Sequence, residues 1–246
     1  MHNEVVDLIL LAGEMLLTSG AEVYRAEETM ERMGKALGYS VEAYVTPTGI
    51  FLTVGNNGDF LTKVRRTRNR GQDLGRIAGV NAISRDLSSG KITFQEAKQR
   101  LADLNSPIYT IWQRVFAVMV ASASLTFILG GRGTELITAA LSGLIAYSTS
   151  KILEHYNANS YLSGTLASFL VANFVYAAQV FFPDISAPLV IVGGLMILVP
   201  GVAIASAVRD IVQGELLSGT SRAVEAIVIA GTLAAGSAFA LGLWRW

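Results

Sequence analysis

The stretch that decides the fold runs from Gly193 to Glu225 and reads GGLMILVPGVAIASAVRDIVQGELLSGTSRAVE. Its first part is apolar enough to lie in lipid, yet it contains Pro200 and Gly201. Proline cannot donate to the helix ladder and leaves the carbonyl of Met196 without its usual partner, and glycine weakens the helix further. The sequence therefore predicts a helix over about 188–211 that is interrupted at Pro200-Gly201. Transporters place substrate sites at such interruptions, whereas a kink that only aids packing is the structural alternative.

The same stretch ends in five ionisable residues, which are Arg209, Asp210, Glu215, Arg222 and Glu225. A short connection, predicted from Gly214 to Thr220, brings the last two helices together. Charges are costly in lipid, so we expect Arg209 or Arg222 to pair with Asp210 or Glu225. A partly buried carboxylate of this kind can carry protons, and an arginine can hold a substrate carboxylate through two parallel hydrogen bonds. An ion-paired helix cap at the membrane surface is the alternative.

The composition divides the chain into two parts. Of its 38 acidic and basic residues, 26 lie in residues 1–106, and the remaining 140 residues carry 12. This asymmetry predicts a water-soluble domain over 1–106 and a membrane domain over 107–246, joined at Asn105-Ser106-Pro107. A net charge of zero argues against a nucleic-acid partner. The chain has no cysteine and two distant histidines, and no catalytic triad or phosphate-binding loop is recognisable, so we predict no metal, no cofactor and no enzyme.

Residue periodicity predicts an α+β fold for the N-terminal domain. Apolar stripes at helical spacing indicate two opening helices that end at Gly20 and Gly38. The period then changes to two, which indicates strands, and a capping box at Thr93 announces the last helix. The predicted strands cover 41–46, 50–54 and 60–66, with turns at Thr46-Pro47-Thr48-Gly49 and Asn57-Gly58, and the further helices cover about 72–87 and 94–104.

Two groups of charges in this domain have simple explanations. Glu28 and Arg32 are four positions apart in the favourable order and predict a solvated helix face. The second group is basic and comprises Lys63, Arg65, Arg66, Arg68 and Arg70. It fits contact with anionic lipid headgroups or a solvated strand edge equally well, and an acidic substrate less well.

The membrane domain is predicted to be entirely helical. Its five apolar segments cover about 112–129, 136–153, 162–182, 188–211 and 223–243. A modest bias of Lys and Arg predicts an N-terminus inside and a C-terminus outside, and Trp244 and Trp246 are typical interfacial anchors. Small residues four apart, such as Gly164 and Ser168, predict closely packed helices. Because secondary transporters are commonly built from paired halves, an odd number of spans without a repeat suggests that another chain supplies the other half.

Three motifs resemble the threonine/serine exporter family of bacteria and archaea. They are GAEVYRAEETMERMGKALG at Gly20–Gly38, VTPTGIFLTV at Val45–Val54 and LVPGVAIASAVRDIVQGELLSGTSRAVEA at Leu198–Ala226. The chain is similar to the larger component of the split, two-protein form. The resemblance implies a multi-pass protein of the cytoplasmic membrane with its N-terminal domain in the cytoplasm, and a small partner of the same family that supplies the missing spans. It also implies export, driven by protons, of threonine and serine or of dicarboxylates such as succinate.

The interrupted helix and the charges that follow it predict a substrate path at the five ionisable residues and at Pro200 and Gly201. The motifs shared with the family bear on particular residues. Members often have Gly-Asp where this chain has Gly214-Glu215, which keeps the charge on a longer arm. In the N-terminal domain, the functional interpretation of the matching motifs is that they gate the pore, and the structural one is ordinary helix packing and a turn. The residues concerned are Glu22, Arg25, Glu28, Thr46, Pro47, Thr48 and Gly49.

Two other functions stay open on the sequence alone. One is a membrane-anchored enzyme with a catalytic N-terminal domain, and the other is a regulatory or binding subunit without a substrate path. A homo-oligomer also stays open.

Overall fold

The structure is a computed structural model that describes residues 2–56, 58–67, 71–104 and 109–245. The predicted hinge at 105–107, together with Asn57, Arg68, Arg70 and Trp246, lies outside the described residues. The chain forms two compact units. One comprises Met1–Ser106 with Gly201–Val224, and the other comprises Pro107–Pro200 with Glu225–Trp246. The boundary predicted at 106 separates a part in water from a part in lipid. The division into compact units does not test it, so it stays a prediction.

The first unit begins with an α+β arrangement. Its elements are α1 (His2–Thr18), α2 (Val23–Ala36), β1 (Ser40–Thr46), β2 (Gly49–Asn56), β3 (Asp59–Arg66), α3 (Leu74–Ser88) and α4 (Phe94–Asp103). The strands form one antiparallel sheet in the order β1-β2-β3. Gly20 and Gly38, with φ of +87° and +81°, end the first two helices in the left-handed conformation that glycine adopts without steric penalty, as the sequence predicts.

The core of this unit follows from the strand and helix periods. Ile50, Leu52 and Val54 alternate along β2 and are fully buried, whereas Phe51 points to the outer face. They pack in one cluster with side chains of α1, which contacts α2, α3, α4 and the sheet. Burying each large apolar side chain contributes about 1.5–3 kcal/mol, so the many buried side chains of α1 contribute substantially to the stability of this unit.

The predicted polar features of this region are found. Thr93 and Glu96 form a reciprocal capping box at the start of α4. Glu28 pairs with Arg32 on the solvated face of α2. Two cations of the basic group bind acidic residues of α1, since Lys63 contacts Asp7 at 2.7 Å and Arg65 contacts Glu14 at 3.1 Å. These two pairs attach β3 to α1.

The rest of the chain is helical. Its helices are α5 (Ile111–Ile128), α6 (Thr134–His155), α7 (Ser160–Phe181), α8 (Ala187–Gly194), α9 (Gly201–Val212) and α10 (Leu216–Trp244). Among the described residues, α5, α6, α7 and α10 are each long and apolar enough to cross a membrane, and Ala187–Gly194 with Met196–Val212 qualifies as a broken fifth span. The protein is therefore a multi-pass membrane protein with four to five candidate spans.

The predicted interruption is present but wider than expected. It covers 195–200, with a 3₁₀ turn at Met196–Leu198, and α9 begins directly after Pro200. As expected, Pro200 donates no hydrogen bond to the Met196 carbonyl, which instead accepts one from the Val199 N–H at 3.2 Å. The helix ends early at Gly193 and Gly194, which are poor helix formers. Each allows close packing, since an added Cβ would lie 1.8 Å from Thr126 Oγ1 and 2.4 Å from Ser142 Cβ respectively.

The predicted bounds of the connection between the last two helices, Gly214 to Thr220, are wrong. The connection is only 213–215, and α10 begins at Leu216. Gly214 has a φ of +92°, which reverses the chain at once, and the Glu215 N–H donates to the Asp210 carbonyl at 2.9 Å.

Small residues bring the helices of the second unit together, as predicted. A Cβ on Gly236 would lie 2.1 Å from the hydroxyl of Ser168, and one on Gly143 would lie 2.1 Å from that of Ser122. Gly164 likewise faces Thr232. These contacts fix α7 against α10 and α5 against α6, which favours a packed bundle over a set of single anchors.

Candidate functional site

The charged hairpin, which we define as residues 201–224, belongs to the first unit. Gly219 allows its two helices to touch, because an added Cβ would lie 2.9 Å from the Ala207 carbonyl oxygen and 2.9 Å from the Ile211 nitrogen. Arg222 follows Gly219 by three positions and so lies on nearly the same helix face. This close contact turns Arg222 toward Asp210 on α9.

Arg222 and Asp210 form the predicted ion pair across the hairpin. Arg222 Nε lies 3.2 Å from Asp210 Oδ2, and the side chains are 10% and 0% exposed. The pair is a charge contact without the alignment of a hydrogen bond. Arg222 also donates from Nη2 to the Ala21 carbonyl at 2.6 Å and from Nη1 to the Gly20 carbonyl at 3.5 Å. Its guanidinium therefore joins α9 to the connection between α1 and α2.

Asp210 also contacts the first turn of α2. Its Oδ1 accepts a hydrogen bond from the Val23 N–H at 3.4 Å. The first N–H groups of a helix lack partners within the helix and carry the positive end of its dipole, so a carboxylate there is stabilised. Glu22 is the N-cap residue of α2, but its own side chain makes no capping hydrogen bond. Asp210 supplies the negative charge that an N-cap side chain ordinarily provides.

Glu22 lies between two arginines instead. Its Oε1 accepts from Arg209 Nη1 at 2.7 Å, and its Oε2 lies 3.5 Å from Arg25 Nε. Burial acts to raise the pKa of Glu22, but the hydrogen bond from Arg209, a backbone hydrogen bond at Glu22 itself and the charges of Arg25 and Arg209 together outweigh it. The pKa of Glu22 therefore lies below its ordinary value. The Glu22 side chain is 8% exposed, whereas that of Arg209 is 63% exposed.

These five residues, Glu22, Arg25, Arg209, Asp210 and Arg222, form what we call the arginine-carboxylate cluster. Three come from the predicted substrate path and two from the N-terminal motif. The structure thus places in one cluster residues that the sequence assigns to two separate roles. The cluster holds three guanidinium groups and two carboxylates, and the charges of Glu28 and Glu215 act on it from outside. Its exposed guanidinium groups are suited to bind a small anion.

A further carboxylate lies close to this region. Glu27 Oε1 accepts from the Val45 N–H at 2.7 Å and ties α2 to β1. Burial raises the pKa of Glu27, the hydrogen bond from Val45 opposes this, and the negative charges of Glu215 and Glu31 raise it further. Glu215 is half-buried. Of the predicted path residues, Glu215 therefore acts on Glu27 electrostatically.

The other predicted residues lie outside the cluster. Glu225 is half-buried in the second unit, and Pro200 is buried at the end of the interruption. Gly201 begins α9 with open space around it. Glu28 is exposed on α2.

The turn between β1 and β2 is held by its own polar groups. Thr46 Oγ1 donates to the Gly49 carbonyl at 3.2 Å, Pro47 is buried, and the Thr48 carbonyl accepts from the Thr67 N–H at 2.9 Å. These contacts fit the structural reading of the turn motif. Its gating role stays a prediction.

Sequence reasoning missed the backbone partners of the cluster. The carbonyls of Gly20 and Ala21 and the N–H of Val23 carry no side-chain signal. Gly219 does have a signal, because a glycine inside a helix ordinarily indicates a packing or functional reason.

Two cavities are lined by residues outside the arginine-carboxylate cluster. One is a polar groove of about 470 Å³ beside Glu28 and Lys35, and the other is an apolar groove of about 380 Å³ beside Leu141 and Phe174.

Nearly the whole chain matches a known family. The profile described as putative threonine/serine exporter matches residues 7–244. The chain belongs to the threonine/serine exporter family. This confirms the resemblance carried by the three motifs and identifies the protein as a transport protein rather than an enzyme.

Several relatives show how members of the family are organised. The chain is 24% identical to a probable succinate transporter subunit, YjjP, of Klebsiella aerogenes, over 99% of this chain and 95% of that protein. It is 23% identical to the YjjP protein of Escherichia coli, over 99% and 96%. A probable threonine/serine exporter of Mycobacterium tuberculosis is 18% identical over 95% of this chain but only 45% of its own length. No solved structure matches the chain.

Proposed function

We propose that the chain is one subunit of a two-protein exporter that moves small carboxylate-bearing metabolites across the cytoplasmic membrane, driven by protons. The substrate class comprises threonine, serine and dicarboxylates such as succinate. Relatives of similar length are named succinate transporter subunits, and a longer relative is named a threonine/serine exporter. What these names have in common is a substrate that carries a carboxylate.

The observation that carries the proposal is the arginine-carboxylate cluster. Arginine binds carboxylates through a planar, two-donor geometry, and its charge is permanent. Arg25 and Arg209 are 48% and 63% exposed, so a solute can reach them. Three of its residues belong to the charged hairpin, which follows the interruption, as in transporters that bind substrate beside broken helices.

The partner in this proposal is a small membrane protein of the same family. Four to five candidate spans without an internal repeat favour a second chain. The mycobacterial relative, of which this chain covers 45%, has room for further spans in one polypeptide. A second copy of this chain stays open as an additional partner.

The proposed topology places the N-terminal α+β region in the cytoplasm, so that its motif gates access to the cluster. This follows the bias of Lys and Arg between the loops. Proton coupling is assigned to a carboxylate of the cluster. When that carboxylate takes up a proton it loses its charge, and the arginine paired with it becomes available to the substrate. Residues 1–106 then lie in water and most of 107–246 in lipid.

One observation favours a second candidate function, a regulatory subunit without a substrate path. Asp210 and Arg222 are buried and already bind each other and the backbone of residues 20–23. Charges that are already paired in this way are compatible with a purely structural role, which is to hold the hairpin to the α1–α2 connection. The two functions differ in whether transport depends on the charges once assembly is preserved.

The test is efflux of labelled threonine, serine and succinate from vesicles that contain both proteins or this chain alone, with and without an imposed pH gradient. Arg209→Gln is the informative variant, because Arg209 is exposed and its loss spares the core. The matched control is Arg100→Gln, which removes a similar exposed pair with Asp86. The exporter proposal expects loss of efflux in Arg209→Gln alone, with the two proteins still assembled. Unchanged efflux in both variants favours the regulatory subunit.

A further inference from the structure

Glu22 departs from the local rule for its position. The N-cap residue of a helix ordinarily turns its side chain back onto the first N–H groups. Here the backbone of Glu22 has the extended conformation of an N-cap, with φ of −63° and ψ of 145°, but its carboxylate makes no such bond. Asp210, from another helix, instead accepts from the N–H of Val23, the first residue of α2. Departures from local rules concentrate at functional sites, so the carboxylate of Glu22 calls for another role.

The surroundings of the Glu22 carboxylate are those of a bound anion. One oxygen accepts from Arg209 at 2.7 Å and the other faces Arg25 at 3.5 Å. Both arginines are reachable from solvent, whereas the carboxylate itself is 8% exposed. A small carboxylate arriving from solution therefore meets the same two guanidinium groups that Glu22 now occupies.

The other half of the cluster is not available for such exchange. Asp210 is fully buried, and Arg222 is held by Asp210 and by the Ala21 carbonyl. Releasing Arg222 would leave a buried carboxylate and a backbone carbonyl without their donor, which is costly. An incoming anion displaces Glu22 more easily, because the freed Glu22 side chain has only to rotate toward solvent.

We propose that Glu22 is a tethered stand-in for the substrate carboxylate, and that a carboxylate-bearing substrate binds Arg209 and Arg25 by displacing it. This inference rests on the proposed function. Arg25 thereby becomes a substrate-binding residue, and the N-terminal motif contributes directly to the binding site. In the empty transporter, Glu22 offsets part of the positive charge of these two arginines until substrate arrives.

The proposal has a measurable consequence for affinity. When a tethered competitor occupies the site, the apparent dissociation constant of the substrate equals the intrinsic one divided by the fraction of time for which the site is open. If Glu22 occupies the site for nine-tenths of the time, its removal tightens apparent binding about tenfold. Glu22→Gln keeps the shape of the side chain and removes its charge. A role of Glu22 in packing alone predicts no gain in affinity.

The experiment measures the half-saturation concentration for labelled succinate and threonine in vesicles that contain both proteins. Glu22→Gln is expected to lower it about tenfold, and the matched control Asp86→Asn, which removes the carboxylate of an exposed pair with Arg100, to leave it unchanged. The double variant Glu22→Gln/Arg209→Gln is expected to lose the gain. Thermal unfolding of each variant in detergent shows whether the fold is kept.

The outcomes separate this inference from the proposed function. Efflux by the wild type with an unchanged or raised half-saturation concentration in Glu22→Gln overturns the inference and leaves the exporter standing. A lowered value that persists in the double variant also overturns it, because the gain then does not depend on Arg209. No efflux of any probe by the wild type overturns the proposed function, and this inference with it.

Discussion

Two of the three ion pairs of the cluster, Asp210–Arg222 and Glu22–Arg209, share chemistry and differ in environment. In the first pair, the side chains of Asp210 and Arg222 are both buried. In the second, the side chain of Glu22 is buried, but that of Arg209 is 63% exposed. Charges removed from water on both sides must keep their partners, since the solvent cannot replace them. A pair with one exposed member can open at little cost.

The difference separates structure from exchange within one cluster. The Asp210–Arg222 pair binds the backbone at Ala21 and Val23 and so holds the charged hairpin to the α1–α2 connection. The Glu22–Arg209 pair binds no backbone group across that contact, which leaves its partners free to exchange. Variants of the first pair should therefore change stability, and variants of the second should change binding more than stability.

The largest effect is expected for Arg222→Ala. The substitution leaves the carboxylate of Asp210 buried without its charge partner and the Ala21 carbonyl without its donor. Breaking a buried pair in this way destabilises by about 3–5 kcal/mol. Thermal unfolding in detergent checks it, with Arg32→Ala on the solvated face of α2 as the control. A loss in Arg222→Ala no greater than in the control would show that the buried pair does not hold the hairpin.

Gly219→Ala is expected to act next, by separating the helices that carry the buried pair. The added Cβ meets backbone atoms of Ala207 and Ile211 at 2.9 Å, which cannot yield as a flexible side chain would. Such overpacking destabilises by about 1–3 kcal/mol.

Gly231→Ala is the matched control for this change, because it lies on the same helix with nothing within 4 Å of the added carbon. It should be neutral or stabilising, since alanine is the better helix former by about 1 kcal/mol. Equal unfolding temperatures of the two variants would contradict the close contact at Gly219.

Glu22→Gln should destabilise only modestly and in a pH-dependent way. The pKa of Glu22 is lowered in the folded protein, so its pairing stabilises the fold above the unfolded pKa of about 4.3 and is lost as the pH falls through the lower folded value. With an exposed partner, the effect is about 0.5–1 kcal/mol at pH 7. Unfolding curves at pH 7 and near pH 3 check it. A difference from the wild type that grows on acidification would reverse the assigned sign.

Glu27→Gln should have the smallest effect and the opposite sign. Burial raises the pKa of Glu27, so its ionised form disfavours the fold at pH values above the raised folded pKa, and this penalty disappears below about 4.3. Glutamine keeps an oxygen for the Val45 N–H. The variant should unfold about 1–2 °C higher at pH 7, for an effect of ~0.5 kcal/mol, and match the wild type near pH 3. A lower unfolding temperature at pH 7 would contradict this assignment.

Local patterns predict most of the fold because they depend on local physics. The helix ends at Gly20 and Gly38, the strand alternation and the capping box at Thr93 are confirmed. The broken span and the Arg222–Asp210 pair are also confirmed, because they lie within one continuous stretch. The wrong connection at Gly214–Thr220 reflects a tight glycine turn that leaves Leu216 free to begin a helix at once.

The sequence could not predict the cluster as a whole. Glu22 and Arg209 are separated by 187 positions, and no periodicity links residues that far apart. Besides each other, Arg222 and Asp210 bind backbone atoms of Gly20, Ala21 and Val23, and every residue carries such atoms. The width of the interruption depends on how closely Gly193 and Gly194 pack on Thr126 and Ser142, which is a tertiary property.

The foreign cap on α2 bears on how the protein is made. The first turn of α2 receives its negative charge from Asp210, which the ribosome adds long after the N-terminal helices and strands have emerged. The opening region of the polypeptide therefore stays incomplete through most of translation and is finished only when the last fifth of the chain arrives. A truncated protein that stops near residue 106 would lack part of its own fold, and its behaviour in a test tube would misrepresent the same residues in the whole molecule.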